Sequence, residues 1–185
     1  MATRTSWPSK LALEVGPRDH IQGPPNAPVT LVEYGDYECP YCGMAHPVIK
    51  ELQKRMGDSM RFVFRNFPLT NVHFNAEPAA EAAEAAGAQG KFWEMHDTLY
   101  ENQDALDYDD LLAYAEQLDL DVSRFEDELA RHAYLDRIRE DFMSGVHSGV
   151  QGTPTFFING VRYEGSYDVD SLLQALQSRA RGAAA

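Results

Sequence analysis

Two cysteines, Cys39 and Cys42, have the residue type and the spacing that most clearly indicate chemistry in this chain of 185 residues. They are its only cysteines, and they enclose a Pro-Tyr dipeptide. Two thiols three positions apart at a helix start can close a small disulfide, and the first faces unpaired backbone N–H groups and the positive end of the helix dipole. Since a thiolate is the attacking species in disulfide exchange, we interpret Cys39 as the nucleophile and Cys42 as the resolving thiol.

The same pair has two other interpretations. It can form half of a zinc site, but such a site usually needs four protein ligands, or three and a water. With no second cysteine pair, two of the six histidines would have to complete it, and only His46 lies nearby in the sequence. His46 can serve as a zinc ligand or as a partner of a thiolate, although its place one turn after Cys42 favours a partly exposed helical residue. The cysteines can also be inert core residues.

The residues around the pair predict the elements that hold it. An apolar run at 29–34 predicts a buried strand, and apolar residues at helical spacing predict a helix from Pro40 to residue 56. Proline suits the first helical turn, where its missing N–H is not needed. Residues 61–67 predict the next strand. A strand, a helix and a strand over this length imply parallel strands joined by a right-handed crossover.

Residues 69–132 show helical patterns with no strand pattern between them. An alanine-rich stretch at 78–88 favours helix by propensity. Apolar residues recur at helical spacing in three further segments, 92–99, 111–118 and 122–129. Asp107 stands where the N-cap of the helix that contains 111–118 is expected. Because no fixed period recurs, we predict a helical insertion and not a repeat array.

The remaining patterns complete the main domain. Residues 135–146 predict a helix. Residues 153–160 predict a strand that ends in an Asn-Gly hairpin turn, and 161–164 predict the antiparallel strand that follows this turn. Asp168 can cap a final helix. The N-terminal segment predicts a short strand at 11–15. The chain is therefore divided into an N-terminal extension and linker at 1–28, a main domain at 29–68 and 133–180, and the inserted helical subdomain at 69–132.

Composition limits the partners and the compartment. The net charge of −13 speaks against a nucleic-acid or anionic-membrane partner. No apolar run is long enough to span a bilayer, and no apolar segment follows the basic residues of the first ten positions as it would in a signal peptide. We therefore expect a cytoplasmic monomer, or a periplasmic or secreted protein if a signal peptide has been lost. The scarcity of cysteine fits the cytoplasm.

Four segments carry a family resemblance. They are Glu-Tyr-Gly-Asp-Tyr-Glu-Cys-Pro-Tyr-Cys at 33–42, Phe-Pro-Leu at 67–69 followed by His73, Gly-Lys-Phe-Trp-Glu at 90–94 followed by His96, and Gly-Thr-Pro-Thr-Phe-Phe-Ile-Asn-Gly at 152–160. Together they resemble the DsbA-like thiol–disulfide oxidoreductases of the thioredoxin superfamily, over roughly residues 18–178. The resemblance implies an α/β thioredoxin fold with a helical insertion, and disulfide exchange with protein or small-thiol substrates. It implies no metal or organic cofactor, and it leaves the electron donor or acceptor unidentified.

The resemblance also implies roles for single residues. The Cys-x-x-Cys pair matches the family's catalytic pair, and Pro154 matches its cis-proline, which lies against the active-site disulfide. A cis bond would expose the backbone of Thr153 for pairing with an extended substrate, as in strand addition. We assign Thr153 to substrate binding, together with Pro40 and Tyr41, which lie between the two cysteines.

Glu33 is the one charged residue in the first apolar strand. A buried carboxylate is costly unless it is protonated or paired. The resemblance implies that an acid at this position lies beneath the resolving cysteine and exchanges protons with it through water, which makes Glu33 a candidate proton relay. The alternative is a strand-end acid that reaches solvent.

The surroundings of Cys39 predict an intermediate redox potential. Asp36 and Glu38 flank it, and negative charges oppose a thiolate. The Pro-Tyr dipeptide also lacks the histidine found in the strongly oxidising family members. We expect a Cys39 pKa below that of a free thiol but above that of the strongest oxidant, and a potential between about −270 and −120 mV. His73 is expected to be a structural hydrogen-bonding residue at the hinge of the insertion.

A second class of function fits the same residues. The chain can be a non-enzymatic binding module of thioredoxin fold that holds peptides or a metal, with the Cys-x-x-Cys pair as a redox-sensitive lock. Turnover that depends on Cys39 separates the two hypotheses.

Overall fold

A five-stranded mixed sheet forms the centre of the molecule, in a computed structural model that describes residues 9–183. The strands are β1 (His20–Gln22), β2 (Val29–Gly35), β3 (Met60–Asn66), β4 (Thr155–Ile158) and β5 (Val161–Tyr163). They lie in the order β1-β3-β2-β4-β5. As predicted, β2 and β3 are parallel, whereas the other neighbours are antiparallel. The predicted α/β thioredoxin fold is confirmed.

The helices of the described residues pack around this sheet. They are α1 (Pro40–Met56), α2 (Ala76–Gly87), α3 (Phe92–Glu101), α4 (Tyr108–Gln117), α5 (Val122–Ala130), α6 (Leu135–His147) and α7 (Val169–Ala183). Asp107 and Asp168 stand at the N-caps that the sequence predicted, and the Asp168 carboxylate accepts a hydrogen bond from the amide of Ser171. No helix within residues 9–183 combines the length and the apolar character that crossing a bilayer requires.

Strand β2 is buried along its whole length because it lies between two cores. Side chains alternate across a strand, so Val29 and Leu31 face the larger core, which contains α1 and the helices that follow β3. Val32 and Tyr34 face a smaller core that contains Phe157 of β4. Glu33 shares the parity of Val29 and Leu31, and therefore points to the side covered by α1.

The loop between β4 and β5 has the predicted hairpin geometry. Asn159 and Gly160 both have positive φ, 49° and 76°, as a two-residue turn of this type requires. The Asn159 side chain also accepts a hydrogen bond from the amide of Thr30 at 2.8 Å, which ties the turn to β2. The turn thereby helps to hold β4 in register beside the central strand.

The N-terminal segment differs from the prediction. No strand forms at 11–15: a single bridge joins Lys10 to Val161, and the carbonyls of Leu13 and Glu14 accept hydrogen bonds from the buried guanidinium of Arg65. These bonds occupy acceptors that a strand would use. The edge strand is instead β1, which the sequence analysis missed because three residues show no clear alternation.

The helices α2 to α5 occupy the predicted insertion between β3 and α6. The division of the chain into a main domain and an inserted subdomain stays a prediction. Its first segment, 1–28, lies partly outside the described residues.

Candidate active site

Both cysteines lie at the start of α1. Cys39 is the N-cap residue and Pro40 occupies the first helical turn, so Cys42 falls inside the first turn. Both thiols are free, and they are buried to different degrees: Cys39 is 3% exposed and Cys42 is fully buried. Tyr41, between them, is 58% exposed. The helix start thus presents its apolar dipeptide to solvent and keeps its second thiol inside.

The position of Cys39 favours its thiolate. Hydrogen bonds lower the Cys39 pKa to about 5, against the opposing effect of burial. The Cys42 thiol is the largest cause, and the side chain of Thr153 and the amides of Tyr41 and Cys42 are the smaller ones. These donors aim at one sulfur because the first helical turn leaves its N–H groups unpaired.

Thr153 and Pro154 lie directly against the nucleophile. The peptide bond between them is cis, as the resemblance implied. The Sγ atom of Cys39 is 3.4 Å from the carbonyl oxygen of Thr153. Beyond Pro154, an open groove of about 330 Å³ runs past Tyr163 and Tyr167.

Cys42 and Glu33 form a buried acidic pair behind the nucleophile. Burial, with a smaller contribution from the charge of Cys39, raises the Glu33 pKa to about 8. Burial also raises the Cys42 pKa well above its ordinary value, with additional contributions from Cys39 and from the charge of Glu33. The Oε1 atom of Glu33 is buried without a hydrogen-bond partner among the described residues. Glu33 is therefore an interior acid, and the alternative of a strand-end acid in solvent is wrong.

The acidic residues flanking Cys39, which were predicted to oppose its thiolate, accept hydrogen bonds from other groups. The buried carboxylate of Asp36 accepts hydrogen bonds from the amides of Glu38 and Leu69 and from Nδ1 of His73, each at 2.8 Å. The Glu38 carboxylate accepts one from the amide of Asn75. Their charges are partly compensated in this way.

His73 lies beside the Cys-Pro-Tyr-Cys segment, and its imidazole is bonded to Asp36 at 2.8 Å. Burial lowers its pKa, but the hydrogen bond to Asp36 and the charges of Asp36, Cys39 and Glu38 together raise it above the ordinary value. The structural role expected for His73 is present in its bond to Asp36. Its electrostatic link to Cys39 was missed, because the two residues lie 34 positions apart in the sequence.

Gln103 is a second residue that sequence reasoning missed. Its Nε2 donates hydrogen bonds to the carbonyl oxygens of Tyr37 and Cys39, at 2.7 and 2.9 Å. A Cβ atom placed on Gly43 would lie 2.0 Å from Oε1 of Gln103. Gln103 thereby fixes the backbone that carries the nucleophile, and Gly43 provides the room. No sequence motif marks this loop residue.

His46 is buried, so the expectation of a partly exposed helical residue is wrong. Helix α3 packs over it and places Tyr100 and His96 against its ring. Its Nε2 lies 3.5 Å from Oδ1 of Asp97. His46 therefore belongs to the interface between α1 and α3 and is absent from the groups that shift the Cys39 pKa most strongly.

A comparison with protein families places this site in context. A family model described as thioredoxin matches residues 16–178, which includes the cysteine pair, Glu33 and Pro154. The match covers most of the chain, including the segment of helices between β3 and α6.

Solved structures share the fold. A thioredoxin-like oxidoreductase from Silicibacter pomeroyi is 28% identical, with a TM-score of 0.79 over 90% of this chain and 94% of that one. BdbD from Bacillus subtilis, in its oxidised form, is 23% identical, with a TM-score of 0.81 over 95% of this chain and 98% of that one. The fold is also that of Wolbachia pipientis alpha-DsbA1, which is 22% identical, with a TM-score of 0.80 over 94% of this chain and 96% of that one.

Curated relatives are longer proteins. The chain is 54% identical over 165 residues to the Na(+)/H(+) antiporter NhaA 1 of Salinispora arenicola, covering 89% of this chain and 25% of the antiporter. The chain thus spans about a quarter of the length of the curated relatives it matches. The antiporter name belongs to those longer proteins.

Proposed function

The chain belongs to the thioredoxin family, and from that premise we propose that it is a thiol–disulfide oxidoreductase acting through Cys39 and Cys42. The observation that carries the proposal is that the pKa values of the two thiols are shifted in opposite directions. Hydrogen bonds lower the Cys39 pKa to about 5, whereas burial raises the Cys42 pKa well above its usual range. At neutral pH one sulfur is therefore a thiolate and the other a thiol, which suits attack followed by resolution.

In the reducing direction, the Cys39 thiolate attacks one sulfur of a substrate disulfide. A bond forms between Cys39 and that sulfur, the substrate S–S bond breaks, and the other substrate sulfur leaves as a thiolate that takes a proton from solvent. Cys42 then attacks Cys39 and releases the second substrate thiolate. Two electrons pass from the dithiol to the substrate, and the reverse sequence oxidises a substrate dithiol.

Glu33 is suited to take the proton from Cys42 in the second step. When Cys39 enters the mixed disulfide it loses its negative charge, and that charge is one of the causes that raise the pKa of both Glu33 and Cys42. Its loss lowers both pKa values together. Formation of the mixed disulfide therefore makes Glu33 more ionised and Cys42 easier to deprotonate, at the stage when the resolving thiolate is required.

The surface around Cys39 supports a polypeptide substrate. Thr153 offers backbone beside the nucleophile, where an extended segment can pair as an added strand. Two exposed apolar side chains lie close to Cys39 in the sequence, Tyr41 at 58% and Met44 at 56% exposure, and Phe74, at 83% exposure, follows His73, which contacts Asp36. We propose protein or peptide thiols as substrates on this basis, with Pro40 contributing to the same surface.

A turnover assay distinguishes this proposal from a non-enzymatic binding module. Reduction of insulin by dithiothreitol, and oxidation of a dithiol peptide by the disulfide form, should both be accelerated by the wild-type chain and not by Cys39→Ala. The matched control is Ser148→Ala, which alters a buried hydrogen-bonding residue at the end of α6 without touching the start of α1. Peptide binding without Cys39-dependent turnover would favour the binding module.

A further inference from the structure

Helices α1 and α3 bring three metal-ligating side chains together outside the cysteine pair. His46 lies on α1, and His96 and Asp97 are neighbours on α3. One ligand atom from each lies within 4.8 Å of the other two. Fifty positions separate His46 from His96 in the sequence, so only the packing of the two helices creates this group.

Two of the three groups have a buried ligand atom without a partner. Nε2 of His46 and Oδ1 of Asp97 are both buried and make no hydrogen bond with the described residues, although they lie 3.5 Å apart. Leaving such atoms unsatisfied is costly. Two ligands at 2.0–2.2 Å from a tetrahedral zinc ion would be separated by about 3.4 Å. The observed gap therefore matches the spacing of two ligands on one ion better than a direct hydrogen bond.

The third ligand has its orientation fixed by a neighbour. Nδ1 of His96 lies 3.0 Å from the hydroxyl of Tyr37, which leaves Nε2 as the nitrogen available to an ion. An outer hydrogen bond of this kind sets the ring orientation of metal-binding histidines.

The two carboxylate oxygens of Asp97 have different surroundings. Lys50 pairs with Oδ2, which leaves Oδ1 as a single ligand atom. An open pocket of about 490 Å³, lined by Gly43, Lys50, Glu101 and other residues, reaches His46 from the surface. It offers an entry path and room for water as a fourth ligand. The Lys50 ammonium opposes a cation at this place and should weaken its binding.

We propose that His46, His96 and Asp97 form a zinc site on the α1–α3 interface, with the fourth position open to the pocket. Two imidazoles and one carboxylate oxygen suit zinc and related first-row ions, whereas calcium and magnesium prefer oxygen ligands alone. None of the three ligands is a cysteine, so the site is separate from the thiol chemistry and does not depend on the proposed function.

The test uses the untagged full chain with the Cys39–Cys42 disulfide formed, so that thiolates cannot bind the metal. Zinc is titrated at pH 7.5 in competition with a chromophoric chelator. We expect one zinc per chain, and an affinity at least ten-fold weaker in His46→Gln and in Asp97→Asn, since each substitution removes one ligand. Cobalt(II) in place of zinc should show the absorption of a tetrahedral site, and that signal should be lost in both variants.

Two further variants make the result specific. His147→Gln removes an exposed histidine of α6 and should leave zinc affinity unchanged. Lys50→Gln removes the competing ammonium and should strengthen zinc binding. Far-UV circular dichroism checks the folding of each variant, and Asp97→Asn decides the matter if His46→Gln fails to fold. No stoichiometric zinc binding by the wild-type disulfide form, or equal binding by wild type and Asp97→Asn, would overturn the proposal.

Discussion

The Sγ atom of Cys39 lies 3.4 Å from the carbonyl oxygen of Thr153, so the start of α1 and the entry to β4 meet at the nucleophile. Thr153 acts on this sulfur in two ways. Its backbone carbonyl accepts a hydrogen bond from the thiol, and its side chain lowers the Cys39 pKa. The hydroxyl oxygen is buried and has no hydrogen-bond partner among the described residues, which leaves it free to donate to the thiolate.

Replacing Thr153 with Val should therefore raise the Cys39 pKa from its value of about 5. Valine keeps the shape of the side chain and removes its donor. The rate of alkylation by iodoacetamide, followed from pH 4 to 8, measures the thiolate fraction directly. Thr153→Ser retains the hydroxyl and should stay close to wild type. An unchanged midpoint in Thr153→Val would show that the hydroxyl does not contribute.

The two cysteines should fail in different ways. Cys39→Ser removes the attacking thiolate and should abolish exchange, whereas Cys42→Ser keeps the attack and removes resolution, so mixed disulfides with substrates should accumulate. Non-reducing electrophoresis after incubation with a disulfide peptide detects the trapped species. The role assignment is wrong if alkylation of the reduced wild-type chain at pH 7 labels Cys42 faster than Cys39.

Glu33→Gln should slow the resolving step more than the initial attack, because the Cys42 proton loses its acceptor. A reduction of about 10²–10⁴-fold is typical for the loss of a positioned general base. Rapid-quench experiments with a chromogenic disulfide separate the two steps. Glu38→Gln is the matched control, since its carboxylate is bound to the amide of Asn75. Equal rates in Glu33→Gln and wild type for both steps would reduce Glu33 to a structural acid.

Glu33 should also make the stability of the fold depend on pH. Its pKa rises from 4.5 to about 8 on folding, so the unfolded chain loses this proton first as pH increases. The free energy of unfolding should therefore fall between pH 4.5 and 8 by at most about 1.4 kcal/mol per pH unit, and level off above that range. Glu33→Gln cannot ionise at this position, so its free energy of unfolding does not fall in this way, and it should be more stable than wild type at pH 8.5.

Urea unfolding of the disulfide form at pH 5 and pH 8.5 measures this effect without titration of Cys39. Burial, the largest cause of the raised Glu33 pKa, persists when the thiolate is absent. If the difference in free energy of unfolding between wild type and Glu33→Gln is the same at pH 5 and pH 8.5, the assignment of the raised pKa to Glu33 is wrong.

The redox potential of the Cys39–Cys42 pair should fall between about −270 and −120 mV, the values for thioredoxin and DsbA. The Cys39 pKa of about 5 lies between their nucleophile pKa values of about 7 and about 3.5. Equilibration with glutathione redox buffers measures the potential. His73→Gln should shift it toward the thioredoxin value, because the charge of Cys39 raises the His73 pKa and this coupling is reciprocal. A wild-type potential at either limit would show that thiolate stability does not set the balance.

Much of the fold follows from local patterns. The buried strand β2, the helix beginning at Pro40 and the Asn159–Gly160 turn each rest on residues adjacent in sequence, so periodicity and turn chemistry predict them. The first turn of α1 likewise allowed the two cysteines to be given different roles from the sequence.

The missing features depend on contacts between distant segments. Arg65 draws the backbone near Leu13 away from the sheet, and His73 meets Asp36 only when the insertion folds against the end of β2. The burial of His46 likewise requires α3 to pack on α1. Spacing along the chain carries no information about these tertiary contacts, and the sequence alone could not have assigned their electrostatic effects.

Because Gln103 lies so close to Gly43, substitutions at these two positions are not independent of each other. A Cβ atom at position 43 would occupy the space of the Gln103 amide, and that amide holds the carbonyls of Tyr37 and Cys39. With alanine at 43 the Gln103 amide must move away, at the cost of its hydrogen bonds to these two carbonyls. Across homologous sequences the two positions should covary, and a lineage that abandons the pair must find another donor to support the nucleophile's backbone.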